Sequence, residues 1–334
     1  MKKETAVLLV FLVALCAVTT AFNHRFLSPA NLTNLTKWIG VYGVFSIGGG
    51  LVIITGGIDL SVGSMLALAG VLLCMELGEW HWPWPVAVLS ILLLPMVLGW
   101  IHGLLITRMN LQPFIVTLCG LLLYRGVARF IADDGTKGFG DAEGIDTLRF
   151  VSSEMVFRSL DPETHKVVFP GIPMPFVILI LVAIVAWIAL HRSVYGRYLF
   201  AVGKNEQAAR FSGINTRRII SSTYVISGLL AGVSSIMLAF CTNSVSPSTH
   251  GNFYELYGIA AAVLGGCSLR GGEGSIVGIV LGTAILQVLQ NLVNLLGIPS
   301  SLNFAVMGAV VLVGVLADQI LQKRAKKRLI QQRA

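Results

Sequence analysis

Asp59 is a carboxylate set between two apolar runs, in the stretch Thr55-Gly56-Gly57-Ile58-Asp59-Leu60-Ser61-Val62-Gly63. Ionised groups are expensive inside hydrocarbon, and those found there line a cavity or pair with a partner. Gly56, Gly57, Asp59 and Ser61 are therefore candidates for a polar path or its gate. A local reading competes: Asp59 or Ser61 accepts backbone N–H groups of a helix that begins near Leu60. A cap on a broken helix that faces a pore satisfies both. Further along, Gln287, Gln290, Asn291 and Asn294 recur at i, i+3, i+4 and i+7 in an apolar run, so they share one helix face. Such a stripe faces protein or water, so Gln287 and Asn291 are candidates for the same path or for glue between helices or subunits. Arg125 and Arg129 lie one turn apart near the end of an apolar run. Snorkelling to the interface, or pairing with a loop acid such as Asp133, accounts for them more simply than transport does. Arg270 and Glu273, in SLRGGEGS, read as parts of a turn.

Chemistry of the enzymatic kind finds no support. The chain has no HExxH, no GxSxG nucleophile elbow and no clustered metal ligands. Cys16, Cys74, Cys119, Cys241 and Cys267 follow no ligand or disulfide spacing and read as small packing residues. No G-x-x-x-x-G-K-[ST] loop is present, because Gly203-Lys204-Asn205 lacks both the hydroxyl residue and the earlier glycine. No catalytic residue, metal or cofactor is expected, and any ATP that drives this protein is hydrolysed by a partner chain.

One polar segment stands out, Gly196–Ile219, GRYLFAVGKNEQAARFSGINTRRI. Arg197, Lys204, Arg210, Arg217 and Arg218, with Arg192 just upstream, face a single acid, Glu206. Asn205 suits a helix N-cap, Glu206 suits the first turn, and Ala208-Ala209 supply helix propensity. Gly213, followed by Ile214 and Asn215, suits a left-handed stop. The pattern predicts a helix of one to two turns presented to a partner.

The elements that carry these residues are membrane spans. Hydrophobic residues make up 55% of the 334 and charged residues 12%, a composition of an integral membrane protein. Apolar runs long enough to cross about 30 Å of hydrocarbon are expected at 5–22, 38–55, 60–77, 85–107, 113–132, 173–190, 219–240, 254–269, 275–296 and 302–321. The first reads as an uncleaved span, being long for a signal peptide. With ten spans and the N-terminus inside, the loop 133–172 falls outside with eight acids against four Lys or Arg. The loop 191–218 falls inside and is basic, as is the tail 322–334, which holds Lys323, Arg324, Lys326, Lys327, Arg328 and Arg333. Both termini are then cytoplasmic. The net charge of +8 thus follows the positive-inside rule and does not indicate nucleic acid. The two Asn-Leu-Thr sequons in SPANLTNLT read as helix caps.

Two segments repeat. Gly56-Gly57-x-x-Leu60 before Gly63-Ser64-Met65 resembles Gly265-Gly266-x-x-Leu269 before Gly274-Ser275-Ile276. Gly-interrupted apolar segments in corresponding halves point to an internal repeat with a path at its interface. Whether the first break is a cytoplasmic loop or lies within the bilayer, and so whether the repeat is parallel or inverted, stays open.

Three segments together, GGIDLSVGSMLALAG, AVGKNEQAARFSGIN and AAVLGGCSLRGGEGSIVGIVLG, resemble the signature segments of ribose-type sugar permeases. These are membrane subunits of bacterial ATP-binding-cassette importers, more distantly related to branched-chain amino-acid permeases. The resemblance runs from about residue 25 to about residue 320. It implies an all-α, ten-span subunit of the inner membrane that dimerises, with an identical or different permease, around a central path. It also implies a cytoplasmic ATP-binding subunit and an extracytoplasmic solute-binding protein, with membrane lipid as surroundings. By position, Gly203, Lys204, Asn205, Glu206, Ala208, Ala209, Arg210 and Gly213 resemble the element that couples to the ATPase. Gln207 and the missing Ile-x-Leu-Pro continuation depart from the wider importer pattern. The function that the resemblance implies is import of a monosaccharide or similar small polyol. An ion-coupled secondary transporter with Asp59 carrying the ion, and a branched-chain amino-acid permease, are the alternatives.

Overall fold

A computed structural model describes residues 3–299, apart from 143, 154, 158, 161–166 and 170, and a few positions between 302 and 312. The expected span 302–321 falls mostly outside the described residues, and the tail 322–334 wholly so. The helices are α1 (Lys3–Phe22), α2 (Pro29–Ile54), α3 (Val62–Gly78), α4 (Trp84–Arg108), α5 (Pro113–Ile131), α6 (Ile145–Ser153), α7 (Met174–Trp187), α8 (Val194–Lys204), α9 (Glu206–Phe211), α10 (Thr216–Thr242), α11 (Tyr254–Leu264) and α12 (Ile276–Leu295). Among the described residues, strands amount to three two-stranded antiparallel pairings, one of them Lys137–Gly138 with Ser244–Val245.

Among the described residues, seven helices are long and apolar enough to cross a membrane: α1, α2, α4, α5, α7 with the π turn that continues it to Arg192, α10 and α12. Helix α1 is largely exposed, whereas α2 is the buried centre and packs against α7, α10, α11 and α12. It begins earlier than the apolar run suggests. The Ser28 hydroxyl accepts the Asn31 N–H and Pro29 takes the first turn, so the SPANLT stretch starts the helix. Helices α4 and α10 approach through small residues: Gly99 lies against the Tyr224 backbone and Gly228 against the Pro95 backbone, leaving no room for a Cβ at either.

Helices α3 and α11 are shorter, and both start part-way along α2. Tyr254, the first residue of α11, stacks on Tyr42 and Phe45 with ring centroids 4.6 and 5.9 Å apart. Tyr42 precedes the end of α2 by about 18 Å at 1.5 Å per residue. Asp59, just before α3, shares a small cavity with Phe45 and Gly49 of α2. The chain leaving α2 at Gly56, whose φ is +83°, therefore folds back alongside α2 before α3 begins. The break is not a simple loop beyond the helix end. Helix α11 descends towards the end of α2, where Gly272 N donates to Ile54 O at 2.8 Å. The starts of α3 and α11 meet where Gly63 lies against Gly251 and Glu255.

Arg125 of α5 holds this meeting point. Its guanidinium donates to Pro247 O at 2.9 Å, to His250 O at 2.7 Å and, more weakly, to Gly63 O at 3.4 Å. Arg125 thus clamps backbone carbonyls and does not snorkel. Its neighbour Arg129 does pair with a loop acid, but with Asp134 and not Asp133. Asp133 and Asp134 both have positive φ, of 50° and 54°, and this turn brings the second carboxylate back to the helix. That hydrogen bond holds the Asp134 carboxyl below the usual carboxylate range.

Candidate translocation path and coupling element

The polar segment folds as two helices separated by Asn205. Its backbone is extended, and its side-chain oxygen accepts the Ala208 N–H at 2.9 Å, which starts α9. Glu206 sits in the first turn, at the positive end of the helix dipole. Gly213, at φ +83°, ends the element: its N–H donates to Arg210 O, and Ile214 N to Ala209 O. Within α9 only Ala209 is buried; Lys204, Asn205, Glu206, Ala208, Arg210 and Gly213 are exposed. Phe211, at the end of α9, is 91% exposed. The charge pattern of the sequence drew attention away from this residue. An aromatic residue closing a short basic helix was the signal available in the sequence.

Gly203 connects this element to the rest of the fold. A Cβ there would lie 2.5 Å from Gly272 N and closer still to Ile54 O. A Cβ on Gly271 would lie 2.6 Å from Gly203 O and 2.9 Å from Gly56 N. Three stretches of bare backbone therefore meet: the end of α8, the end of α2 with its Gly56 turn, and the loop after Gly265-Gly266. Only glycine permits so close an approach, and Gly271 and Gly272 also have φ of +82° and +76°. The two similar Gly-Gly segments of the sequence are thereby brought to one junction, seated on the base of the exposed helix.

Asp59 lies away from that junction and is 4% exposed. Its Oδ1 accepts from Ser61 N at 3.0 Å and from Ser61 Oγ at 2.6 Å, and its Oδ2 accepts from Ser227 Oγ at 2.9 Å. Ser61, the residue before α3, caps nothing with its own side chain. Asp59 thus fixes the approach to α3 and ties it to α10, and is not itself the helix N-cap. Gly57 lies against the Tyr224 hydroxyl, which is buried without a partner among the described residues. The Tyr124 hydroxyl bonds His102 Nε2 at 2.7 Å. The cavity that Asp59 shares with Glu255 is about 10 Å³, about one water.

Gln287 and Asn291 are not in contact with that cavity. They line a separate cup of about 200 Å³, together with Gln290, Asn294 and Asn34 and with the rings of Trp38, Tyr42 and Tyr254. Asn291 is tied to Asn31 of α2 by reciprocal amide bonds of 2.8 and 3.1 Å, so it joins helices as well as lining the cup. Gln287 is 5% exposed, and its Nε2 has no partner among the described residues. Between cup and Asp59 stand Tyr42, Tyr254 and Phe45. Tyr42 and Phe45 are 5.4 Å apart by centroid, and Tyr42 and Tyr257 5.5 Å. The residues expected on one path thus fall into two chambers with an aromatic partition. Sequence reading missed that partition because rings in an apolar run read as core.

These features define a polytopic helical membrane permease: broken helices meet inside the fold, polar chambers lie along α2, and an exposed helix projects from one end. The chain belongs to the family described as branched-chain amino acid transport system / permease component, which it matches over residues 31–315. It is 37% identical to the ribose import permease protein RbsC of Bacillus subtilis (strain 168), over 91% of this chain and 89% of that protein. It is 31% identical to the fructose import permease protein FrcC of Rhizobium meliloti, over 95% of this chain and 86% of the relative. It is 29% identical to the xylose transport system permease protein XylH of Escherichia coli (strain K12), over 95% and 92%. No solved structure matches the chain.

Proposed function

We infer that the chain is the permease subunit of an ATP-binding-cassette importer that moves a monosaccharide or similar small polyol across the bacterial inner membrane. Relatives named for ribose, fructose and xylose support this class of solute over amino acids. The observation that carries the coupling role is the seating of the end of α8, at Gly203, against the end of α2 at Ile54 and against the Gly271-Gly272 turn, directly before α9 begins. In this reading a cytoplasmic ATP-binding subunit takes α9 into a surface cleft. Nucleotide-driven closure displaces Gly203, and the ends of α2 and α11 move with it. A second permease subunit completes the path, and a solute-binding protein delivers the sugar at the opposite end. The path is closed at the aromatic partition of Tyr42, Phe45 and Tyr254 and at the Asp59 cavity. Relatives named as sugar import permeases favour this reading over the ion-coupled alternative in which Asp59 carries the ion.

Phe211 is the hydrophobic anchor of this docking, because buried aromatic side chains dominate interface energies. Phe211→Ala is expected to weaken association with the ATP-binding subunit by about 2 kcal/mol, roughly thirtyfold. Scrambling Lys204–Gly213 abolishes capture. A pull-down of the ATPase with detergent-solubilised permease reads both. Undiminished capture after scrambling would remove the coupling role from this helix.

A further inference from the structure

The cup between α2, α11 and α12 has a lining that the coupling mechanism does not use. We propose that it is a saccharide-receiving site on the permease itself, taking one uncharged sugar ring before the aromatic partition opens; the proposal rests on the reading of the chain as a sugar importer subunit. The volume of about 200 Å³ is the first argument. A cavity of about 150 Å³ takes one six-membered carbon ring, so this one accommodates a ring with its hydroxyl groups. The second is the pairing of chemistries. Trp38, Tyr42 and Tyr254 offer apolar faces to the C–H side of a sugar, and the amides of Gln287, Gln290 and Asn294 each offer donors and an acceptor to vicinal hydroxyls.

Gln287 also has an unmet need. Gln287 is 5% exposed and lines the cup with Nε2 lacking any partner among the described residues. A buried amide donor left unpaired is costly, and a ligand hydroxyl supplies the acceptor. No lining residue is ionisable to a charge at neutral pH; Lys37 stands over Trp38, 5.7 Å from the ring centroid, and is not part of the lining. A zwitterionic amino acid or a sugar phosphate would find no counter-charge. Position is the last argument. Asn34 and Ile54 are separated along α2 by about 30 Å at 1.5 Å per residue, so the cup lies at the end away from the Gly203 junction.

Saturation-transfer NMR on the full-length chain in lipid nanodiscs tests the site, with D-ribose, D-fructose, D-xylose and L-leucine as probes. At least one sugar is expected to receive saturation and leucine none. The sugar signal falls at least fivefold in Gln287→Met and in Trp38→Leu, and survives in Trp38→Phe, which keeps a flat ring. Each variant is scored at the wild-type unfolding midpoint, and Gln290→Met, on the more open side of the cup, replaces Gln287→Met if the latter fails to fold. Equal sugar signals in wild type and variants overturn the site. So does the absence of any sugar signal in a wild-type chain that still supports ATP-driven sugar uptake, and in that case the importer reading survives. A leucine signal that replaces the sugar signal overturns the importer reading together with the site.

Discussion

Replacing Gly203 by Leu is expected to reduce ATP-driven sugar uptake at least tenfold while leaving capture of the ATP-binding subunit within threefold of wild type. The substitution separates docking from transmission. The side chain of residue 203 would enter space held by the backbones of Ile54 and Gly272, and backbone, unlike a flexible side chain, cannot step aside. The junction must open, so α9 keeps its exposed face but loses its rigid seat. Overpacking of this kind costs about 1–3 kcal/mol, a fraction of what a helical core of this size holds. Gly203→Ala is expected to give a smaller loss in the same direction. Uptake and ATP hydrolysis measured together provide the check: hydrolysis that continues while uptake falls is the predicted signature of a broken linkage. Full uptake in Gly203→Leu would show that the junction transmits nothing.

Arg125→Met is the second large effect, and it acts on stability. Methionine keeps the apolar stem of the side chain but removes every donor. The carbonyls of Pro247 and His250, which receive hydrogen bonds of 2.9 and 2.7 Å, would lose a charged partner, at about 1.5–3 kcal/mol for each such bond. The expected result is a drop of several degrees in the unfolding midpoint in detergent. Faster amide hydrogen exchange is expected in the segment 243–253 and at the start of α3, where Gly63 O is also held. Arg125→Lys should recover part of the loss, since an ammonium reaches one carbonyl well but cannot fork to two. An unchanged midpoint with unchanged exchange would contradict the clamp.

Much of this was legible in the sequence where a local rule decides the structure. Asn205 and Gly213 bound a short helix because capping and left-handed stops depend on neighbours a few residues away. The similarity of the two Gly-Gly segments, and the apolar runs that became helices, are equally local. What could not be read is depth. The fold-back before α3 and the part-way start of α11 depend on Arg125 reaching carbonyls 122 and 125 positions away, and no spacing in the sequence encodes that reach. The convergence of Gly203 with Gly56 and Gly271 was invisible for a related reason. A close approach of backbones leaves no side-chain pattern, only glycines among 36. Asp59 and Gln287 line separate cavities, a division the sequence does not carry because polarity marks a residue as facing protein or water without saying which chamber it faces. Phe211 reads in the sequence as part of a basic segment, and its exposure of 91% depends on the fold around it.

The central claim, that another chain's ATP hydrolysis moves sugar through this one, is tested most directly by uptake into sealed vesicles reconstituted from defined parts. With the permease, its ATP-binding subunit and the sugar-loaded binding protein present, radiolabelled sugar is expected to accumulate only when ATP is on the ATPase side. Omitting any one component, or scrambling Lys204–Gly213, should return uptake to background whatever ion gradient is imposed. Sugar accumulation by this chain alone under a proton or sodium gradient, without the ATPase, would contradict the account.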